Sequence, residues 1–337
     1  LERDNQGIPE KQKVELVKKK HYGQGKQEKK TTYRWEKMRL AFVWNYEARP
    51  QDLLYWWDGL RAALDYLEID FGYEILRLTA QSINEIESFK PDFILSWGSL
   101  DQFFHRIIRN YGVKTGLCYA GGSKENLDNF DVIFYESQID GDEFEILKSE
   151  KNYKIHLQRA FGTNDELFRP FHQKKIWDAI YPATFARWKR HELFARAVGD
   201  GGLACGNWLE YEMDCVNVCK KYGVLTLKAV HPEVLVSLYN ASFCTLLTAD
   251  RWGGCQRAVL ESLSCNVPVI VCSDNKRSSE FIEESGEGLV VDPDIDEIKE
   301  AITKIKEFKC NGRKYIEANW TAKHYAKALD NGIKAVL

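Results

Sequence analysis

A chain of 337 residues with 44% hydrophobic content, 17 Phe, 16 Tyr and 10 Trp has the material for two domains with sizeable cores. A net charge of −3 argues against nucleic acid as the main partner, and no apolar run approaches the roughly 18 residues of a membrane span. Nine cysteines, set mostly within apolar patterns and with no signal peptide ahead of them, fit reduced, buried thiols in a cytoplasmic protein better than a disulfide framework.

Residues 1–37 differ from the rest: 11 Lys and Arg stand against 6 Asp and Glu, with 8 apolar residues. Such a stretch buries little surface unaided and reads as a basic arm or linker, whose alternative role is a peripheral contact with acidic lipid or a partner protein. Residues 39–44 form a short apolar run of strand type. The stretch 52–68 places Leu53, Leu54, Trp57, Leu60, Ala63, Leu64 and Leu67 at helical spacing. Strand patterns over 73–78, 92–97, 114–119 and 131–135 alternate with helical ones over 83–89 and 100–111. That alternation predicts a parallel sheet with crossover helices, a Rossmann-like domain. Ligands of such sheets sit beyond the carboxyl ends of the strands, so the loops 45–51, 98–99 and 120–123 face any ligand of this half. His105, inside a helical stretch, reads as structural. Residues 152–170 read as the crossing between domains, a turn closed by Pro170.

The second half opens with a strand pattern over 175–180, then a basic stretch carrying Thr184, Arg187, Lys189 and Arg190 into a helix. Cations at a helix N-terminus oppose the macrodipole, so a merely solvated basic helix start would be unusual. Gly199 to Ala204 fits a loose dinucleotide fingerprint but follows a helix, so it reads as a helix stop and turn. Cys215 and Cys219 could share a helix face, yet no second pair or nearby His completes a zinc set. A strand over 225–230 leads through Val230 and His231, whose ring can stack on a base, into a helix bearing Leu235, Leu238 and Tyr239.

Residues 230–274 are the most informative: helix, buried strand, glycine turn, helix, buried strand. Gly253 and Gly254 stand where strand gives way to helix. There the unpartnered amides of a first turn and the positive end of the dipole attract phosphate, and glycine lets it approach. Gln256, Arg257 and Ala258 open that helix, and Glu261 lies about two turns in, within reach of sugar or ribose hydroxyls. A phosphate cradle with a carboxylate alongside suits a sugar nucleotide; the plain alternative is a turn and a solvated carboxylate. Asp292, Asp294 and Asp296 read as the cap of a helix with Ile295, Ile298, Ile302 and Ile305 on one face, not as a metal site.

This segment resembles the C-terminal half of retaining glycosyltransferases with the GT-B fold, most closely glycosyltransferase family 4. The family's motif is Glu, seven residues, Glu, a small-residue helix end, Pro and an apolar strand. Residues 261–271, from Glu261 through Pro268, match its second part. The first acidic position falls on Gly253, and Gln256 stands where the family usually has glycine. The resemblance implies that Glu261 holds the donor ribose and that the loop of Val230 and His231 lies beside the base. Lys189 falls on a family lysine and Thr184 on a family arginine, both of which neutralise the donor diphosphate; Arg187 or Arg190 is the candidate replacement for that arginine. Asn164, Asp165, Phe168 and Pro170 are similar to the family's linker, and residues 273–280 to a loop that closes over the donor. Residues 320–329 resemble its closing helix, with Trp320, Tyr325 and Leu329 as the buried stripe. The glycine loop and His often found in the family's first domain have no match at 45–50 or 96–99.

The resemblance thus implies an α/β protein of GT-B type, two Rossmann-like domains with parallel sheets facing a cleft. Residues 38–170 would take the acceptor and 171–319 the donor, and the helix of 320–337 would cross back to the first domain. The implied reaction moves a hexose from a UDP-sugar or GDP-sugar to a glycan, lipid, protein or small-molecule acceptor, with retained configuration and no metal or other cofactor. Lys189 and Glu261 are the catalytic candidates; Gly253, Gly254, Gln256, Arg257, Ala258, Thr184, Arg190, Val230 and His231 are the donor-binding ones. The competing reading, favoured by Gly253 and the missing His, is a GT-B-like binding or assembly protein with reduced or lost activity.

Overall fold

The computed structural model describes residues 37–44, 59–99, 104–124, 126–208, 213–228, 230–254 and 257–337. The basic arm over 1–36, the loop 45–51, the start of the helix expected from 52, Gln256 and the side chain of His105 lie outside the described residues. The first half runs β1 (Arg39–Trp44), α1 (Gly59–Ile69), β2 (Glu74–Thr79), α2 (Glu85–Phe89), β3 (Phe93–Gly98), α3 (Phe104–Arg109), β4 (Lys114–Tyr119), β5 (Val132–Tyr135), α4 (Gln138–Lys151) and β6 (His156–Arg159). The second half begins with β7 (Trp177–Pro182), α5 (His191–Val198), β8 (Gly202–Gly206), α6 (Met213–Lys221), β9 (Leu225–Lys228), α7 (Pro232–Asn240) and β10 (Ser242–Leu247). It continues with α8 (Arg257–Ser264), β11 (Val269–Cys272), α9 (Lys276–Ser285), β12 (Gly288–Val291), α10 (Ile295–Ile305), α11 (Gly312–Asn319) and α12 (Ala322–Lys334).

These strands build two six-stranded sheets, ordered β2-β1-β3-β4-β5-β6 and β12-β11-β10-β7-β8-β9. Every pairing in both is parallel. Helices cover both faces of such a sheet, so its central strands are apolar on both sides. Leu40 and Phe42 of β1 face one core with Leu60 and Leu64 of α1, whereas Ala41 and Val43 face another with Phe144 of α4. Strand order reverses between β1 and β3, and again between β7 and β10. These are the two places where an open sheet leaves a crevice beyond its carboxyl ends.

Two readings need correction. The stretch 152–170 is more than a crossing, because β6 pairs with β5 as a sixth strand; as a half-buried edge strand of polar residues it carries no apolar run. Trp320 is not on the closing helix. It ends α11, and the hydroxyl of Thr321 accepts the His324 amide to start α12, so the buried stripe is Tyr325, Leu329 and Ile333. The Trp320 indole instead packs edge-on against Phe281 at 5.2 Å.

α12 lies against α1 in the core of the first half, where the Tyr73 hydroxyl donates to Asp330 at 2.9 Å. The chain passes between halves at Gly162 and returns at Thr321, and the backbones nearly touch. A Cβ on Gly162 would lie 2.7 Å from the Thr321 carbonyl oxygen, and one on Gly59 would lie 1.9 Å from that of Gly162. The linker is pinned by Arg313 of α11, which donates to the carbonyls of Asp165 and Phe168 at 2.5 and 2.9 Å. Phe168 is fully buried, edge-on to Tyr239. Among the described residues no helix is long and apolar enough to cross a membrane.

Candidate active site

The crevice between β7 and β10 is closed on two sides by the loops that leave these strands. After β7 the chain forms a single turn over Arg187–Lys189 before α5. After β10 it runs through Thr248 and Asp250 to the paired glycines. The loops are laced together. The carbonyl of Lys189 accepts from the Tyr181 hydroxyl at 2.8 Å and from Thr248 Oγ1 at 3.0 Å, and the Asp250 amide donates to the Trp188 carbonyl at 2.9 Å.

Lys189 then reaches over, its Nζ donating to the Gly253 carbonyl at 3.0 Å. The Gly253 amide closes a tight turn on the Asp250 carbonyl at 2.8 Å. Gly254 has φ +65°, the left-handed region where glycine is at ease, and nothing lies within 4 Å of where its Cβ would be. Its carbonyl accepts from Asn275 Nδ2 at 3.3 Å and Ser278 Oγ at 3.4 Å, both at the start of α9. Cation and glycine turn therefore stand together at the mouth of the crevice. A phosphate entering there meets a preset ammonium, the arrangement that stabilises charge growing on a leaving group.

The turn as folded has no room for a side chain at 253. A Cβ on Gly253 would sit 2.5 Å from the Ala249 Cβ and 3.0 Å from the Asp250 carbonyl oxygen. A side chain at that position needs a different turn.

Arg190, expected as a diphosphate cation, is placed by the structure as a clamp between the loops. Its Nη1 and Nη2 grip Asp274 at 2.7 and 2.8 Å, its Nε donates to the Thr248 carbonyl and Nη2 to that of Ala249. Burial disfavours its charge, but Asp274 more than offsets this and raises the pKa above the ordinary guanidinium value. The Ala258 side chain is buried in the core, so it can offer a ligand only its backbone. Thr184 is half-buried in the loop after β7 and Arg257 is exposed at the first residue of α8.

Glu261 is no solvated helix carboxylate. It is 6% exposed and accepts from the Tyr239 hydroxyl of α7 at 2.8 Å. Burial and the neighbouring carboxylate push the Tyr239 phenol well above its usual pKa, so it stays a proton donor. Val230, half-buried, and His231, exposed at the N-cap of α7, lie at the same carboxyl edge beyond β9. With β8 between them, β9 lies two strand spacings from β7, or roughly 10 Å across the sheet. That spacing suits a nucleotide whose base and phosphates lie at opposite ends of the crevice.

Several residues around the site escaped sequence reasoning. Asp274 and Asn275 are ordinary polar residues after a strand, and only the fold reveals that they hold Arg190 and Gly254. Trp252 stands 73% exposed beside the glycines with the Arg251 guanidinium 4.8 Å over its ring; an aromatic between a strand end and a glycine pair was the available signal. His191 is buried between the rings of Tyr181 and Phe185, and neither ring nitrogen meets a hydrogen-bond partner among the described residues. Burial pushes its pKa down to about 3.

Residues 218–321 match the family model of glycosyl transferases group 1. No curated protein matches the sequence. Among solved structures, sucrose-phosphate synthase from Thermosynechococcus elongatus is similar with a TM-score of 0.66 at 14% identity, over 89% of this chain and 99% of that one. HepE from Anabaena, solved with UDP and glucose, gives 0.63 at 12% identity over 88% of this chain and all of its own. A trehalose-6-phosphate synthase gives 0.65 at 12% identity, over 89% of this chain and 99% of the other. At such identities the likeness is one of fold, and it spans nearly the whole of each chain.

Proposed function

We propose that this chain, a GT-B glycosyltransferase by its fold and by the group 1 match over residues 218–321, moves a hexose from a nucleoside diphosphate sugar to an acceptor with retention of configuration. The observation that carries the reading is the Lys189 ammonium 3.0 Å from the Gly253 carbonyl, at the glycine turn between β10 and α8. HepE, a similar structure, is described with UDP and glucose, which supports a nucleotide-linked donor in this fold. Residues 171–319 take that donor and 38–170 the acceptor. The diphosphate docks at the turn and Glu261, oriented by Tyr239, holds the ribose. As the bond from the anomeric carbon to the phosphate oxygen breaks, Lys189 balances the negative charge left on the diphosphate. The acceptor oxygen bonds to the anomeric carbon on the same face, and its proton passes to the departing phosphate. No metal or cofactor enters this scheme.

Two observations favour a second reading, a binding or assembly protein of this fold: Gly253 leaves no carboxylate facing the sugar, and Arg190 is committed to Asp274. One screen separates the two. Ligand at a hundred times its dissociation constant adds about 2.7 kcal/mol of stability, so melting is followed with UDP-, GDP-, ADP- and TDP-sugars. A donor that raises the melting temperature and is slowly hydrolysed to the nucleoside diphosphate supports the transferase. A shift without turnover in any acceptor mixture selects the binding protein, and no shift with any of the four sinks both.

A further inference from the structure

The start of α9 holds more than the glycine turn. Between Asn275 and Ser278, which bond Gly254, lies Arg277, and its Nη1 donates to the Arg251 carbonyl of the same turn at 3.4 Å. The rest of its guanidinium reaches the other half of the molecule. Nε donates to Asp140 at 2.8 Å, and Nη2 to both oxygens of Glu143 at 2.8 and 3.0 Å. Both carboxylates belong to α4.

That half is prepared for the contact. Asp140 is 5% exposed and already accepts from Ser137 Oγ at 2.7 Å and from Lys124 Nζ at 2.6 Å. Lys124, on the loop after β4, also bonds Glu143 and lies 4.7 Å over the Phe144 ring. Two cations thus meet two carboxylates, so the cluster is neutral and offers no surplus charge to an ionic ligand. Its charges instead satisfy one another across the boundary, partly shielded from solvent and so from salt.

Three residues along α9, about 4.5 Å by helix rise, a second contact lies beside the chain crossing. Glu280 accepts from the Gln138 amide at 3.0 Å and from Arg159 at 2.7 Å, and Arg159 stacks over Trp320 at 4.7 Å. This contact lies beside the place where the chain crosses near Gly162 and Thr321. Arg277 makes its contact on the side of the phosphate turn.

We infer that Arg277 is a positioning residue: it clasps the two halves together and, with the same guanidinium, fixes the turn that receives the diphosphate. Its consequence for transfer rests on the donor reading above, whereas the clasp itself does not. Closure then supports an ordered phosphate turn, because Asp140 and Glu143 hold in place the guanidinium whose Nη1 reaches the Arg251 carbonyl at 3.4 Å, and parting the halves removes that support.

The test uses the full chain with Arg277→Gln, Glu143→Gln and the double variant, plus Arg277→Lys. Glu143 is half-exposed and, among the described residues, its ion-pair partners are Arg277 and Lys124 rather than the donor turn, so its variant reports on the clasp. Small-angle scattering of the free protein is expected to show a larger radius of gyration for each single variant. The double variant should be no larger than the worse single one, as required of two groups in one interaction. With a donor from the screen, each is expected to lower kcat/KM about tenfold, mainly through the donor KM, and Arg277→Lys should recover part of the loss. Scattering curves that superimpose on the parent, or effects of the two single variants that add, overturn the clasp. Expanded variants in a protein that binds none of the sugar nucleotides uphold the clasp and sink the donor reading.

Discussion

Lys189 is held at both ends, its carbonyl by Tyr181 and Thr248 and its ammonium by the Gly253 carbonyl. The backbone anchor does not depend on the side chain, so Lys189→Met should leave the loop in place. Losing one neutral–charged hydrogen bond costs about 1.5–3 kcal/mol of stability, while losing the cation on the leaving diphosphate costs turnover about 10²–10³-fold. Release of nucleoside diphosphate, followed beside a thermal melt, separates the effects; unchanged turnover removes Lys189 from the reaction. Tyr239→Phe takes a donor from a buried carboxylate, an expected loss of about 1–3 kcal/mol, with weaker donor binding as Glu261 loses its orientation. His191 makes a different prediction. Its pKa is about 3 when folded and near 6.5 when unfolded. Between these values the unfolded chain binds a proton that the folded one does not, so stability is complete above the unfolded value and falls as pH drops toward 3. By pH 5 the loss is about 2 kcal/mol. His191→Phe, which keeps an aromatic ring between Tyr181 and Phe185, should flatten the dependence in urea melts at pH 7 and pH 5; an unaltered slope places the acid sensitivity elsewhere.

At the scale of elements, the glycine turn makes the sharpest claim. Introducing the acidic residue of the resembled motif by Gly253→Glu should not raise activity here. The new Cβ meets the Ala249 Cβ at 2.5 Å, so the turn must shift and carry Lys189 and Asn275 with it. Overpacking of this kind costs about 1–3 kcal/mol; a variant that melts like the parent and turns over faster would refute this account. The turn itself was legible in the sequence, because glycines between a buried strand and a helix have few other uses. The central strands, β1, β3 and β4 of the first sheet and β7, β10 and β11 of the second, were legible as apolar runs because they are buried on both faces. β6, β8 and β12 were not legible: β6 is polar, β8 follows a glycine turn and β12 is half-buried. α4 was not: its buried positions are Asp140, Gly141 and Phe144, so it shows no apolar stripe. α9 passed for a loop because its first turn is polar and spends its side chains on the glycine turn and on the other half. The Asp274 partner of Arg190 was hidden for a related reason. A basic residue before a helix looks like a phosphate ligand until the fold brings Asp274 to it from the end of another strand.

For the molecule as a whole, the last helix decides whether the first half can exist. Tyr325, Leu329 and Ile333 of α12 fill the same core as Leu60, Leu64 and Leu67 of α1, over the face of β1 that carries Leu40 and Phe42. Burying three such side chains contributes roughly 5–9 kcal/mol, comparable with the 5–15 kcal/mol of net stability typical of a domain. The Tyr73–Asp330 hydrogen bond would be lost with them. A chain ending at Trp320 should therefore leave β1, α1 and β2 uncovered while the strands β7 to β12 keep their own core. Hydrogen exchange reads the difference directly. Amides of β1 to β3 are expected to exchange within the dead time in the shortened chain, and those of β7, β10 and β11 to remain protected. Equal protection in both halves would mean that the first sheet carries its own stability, and that α12 covers a core which does not need it.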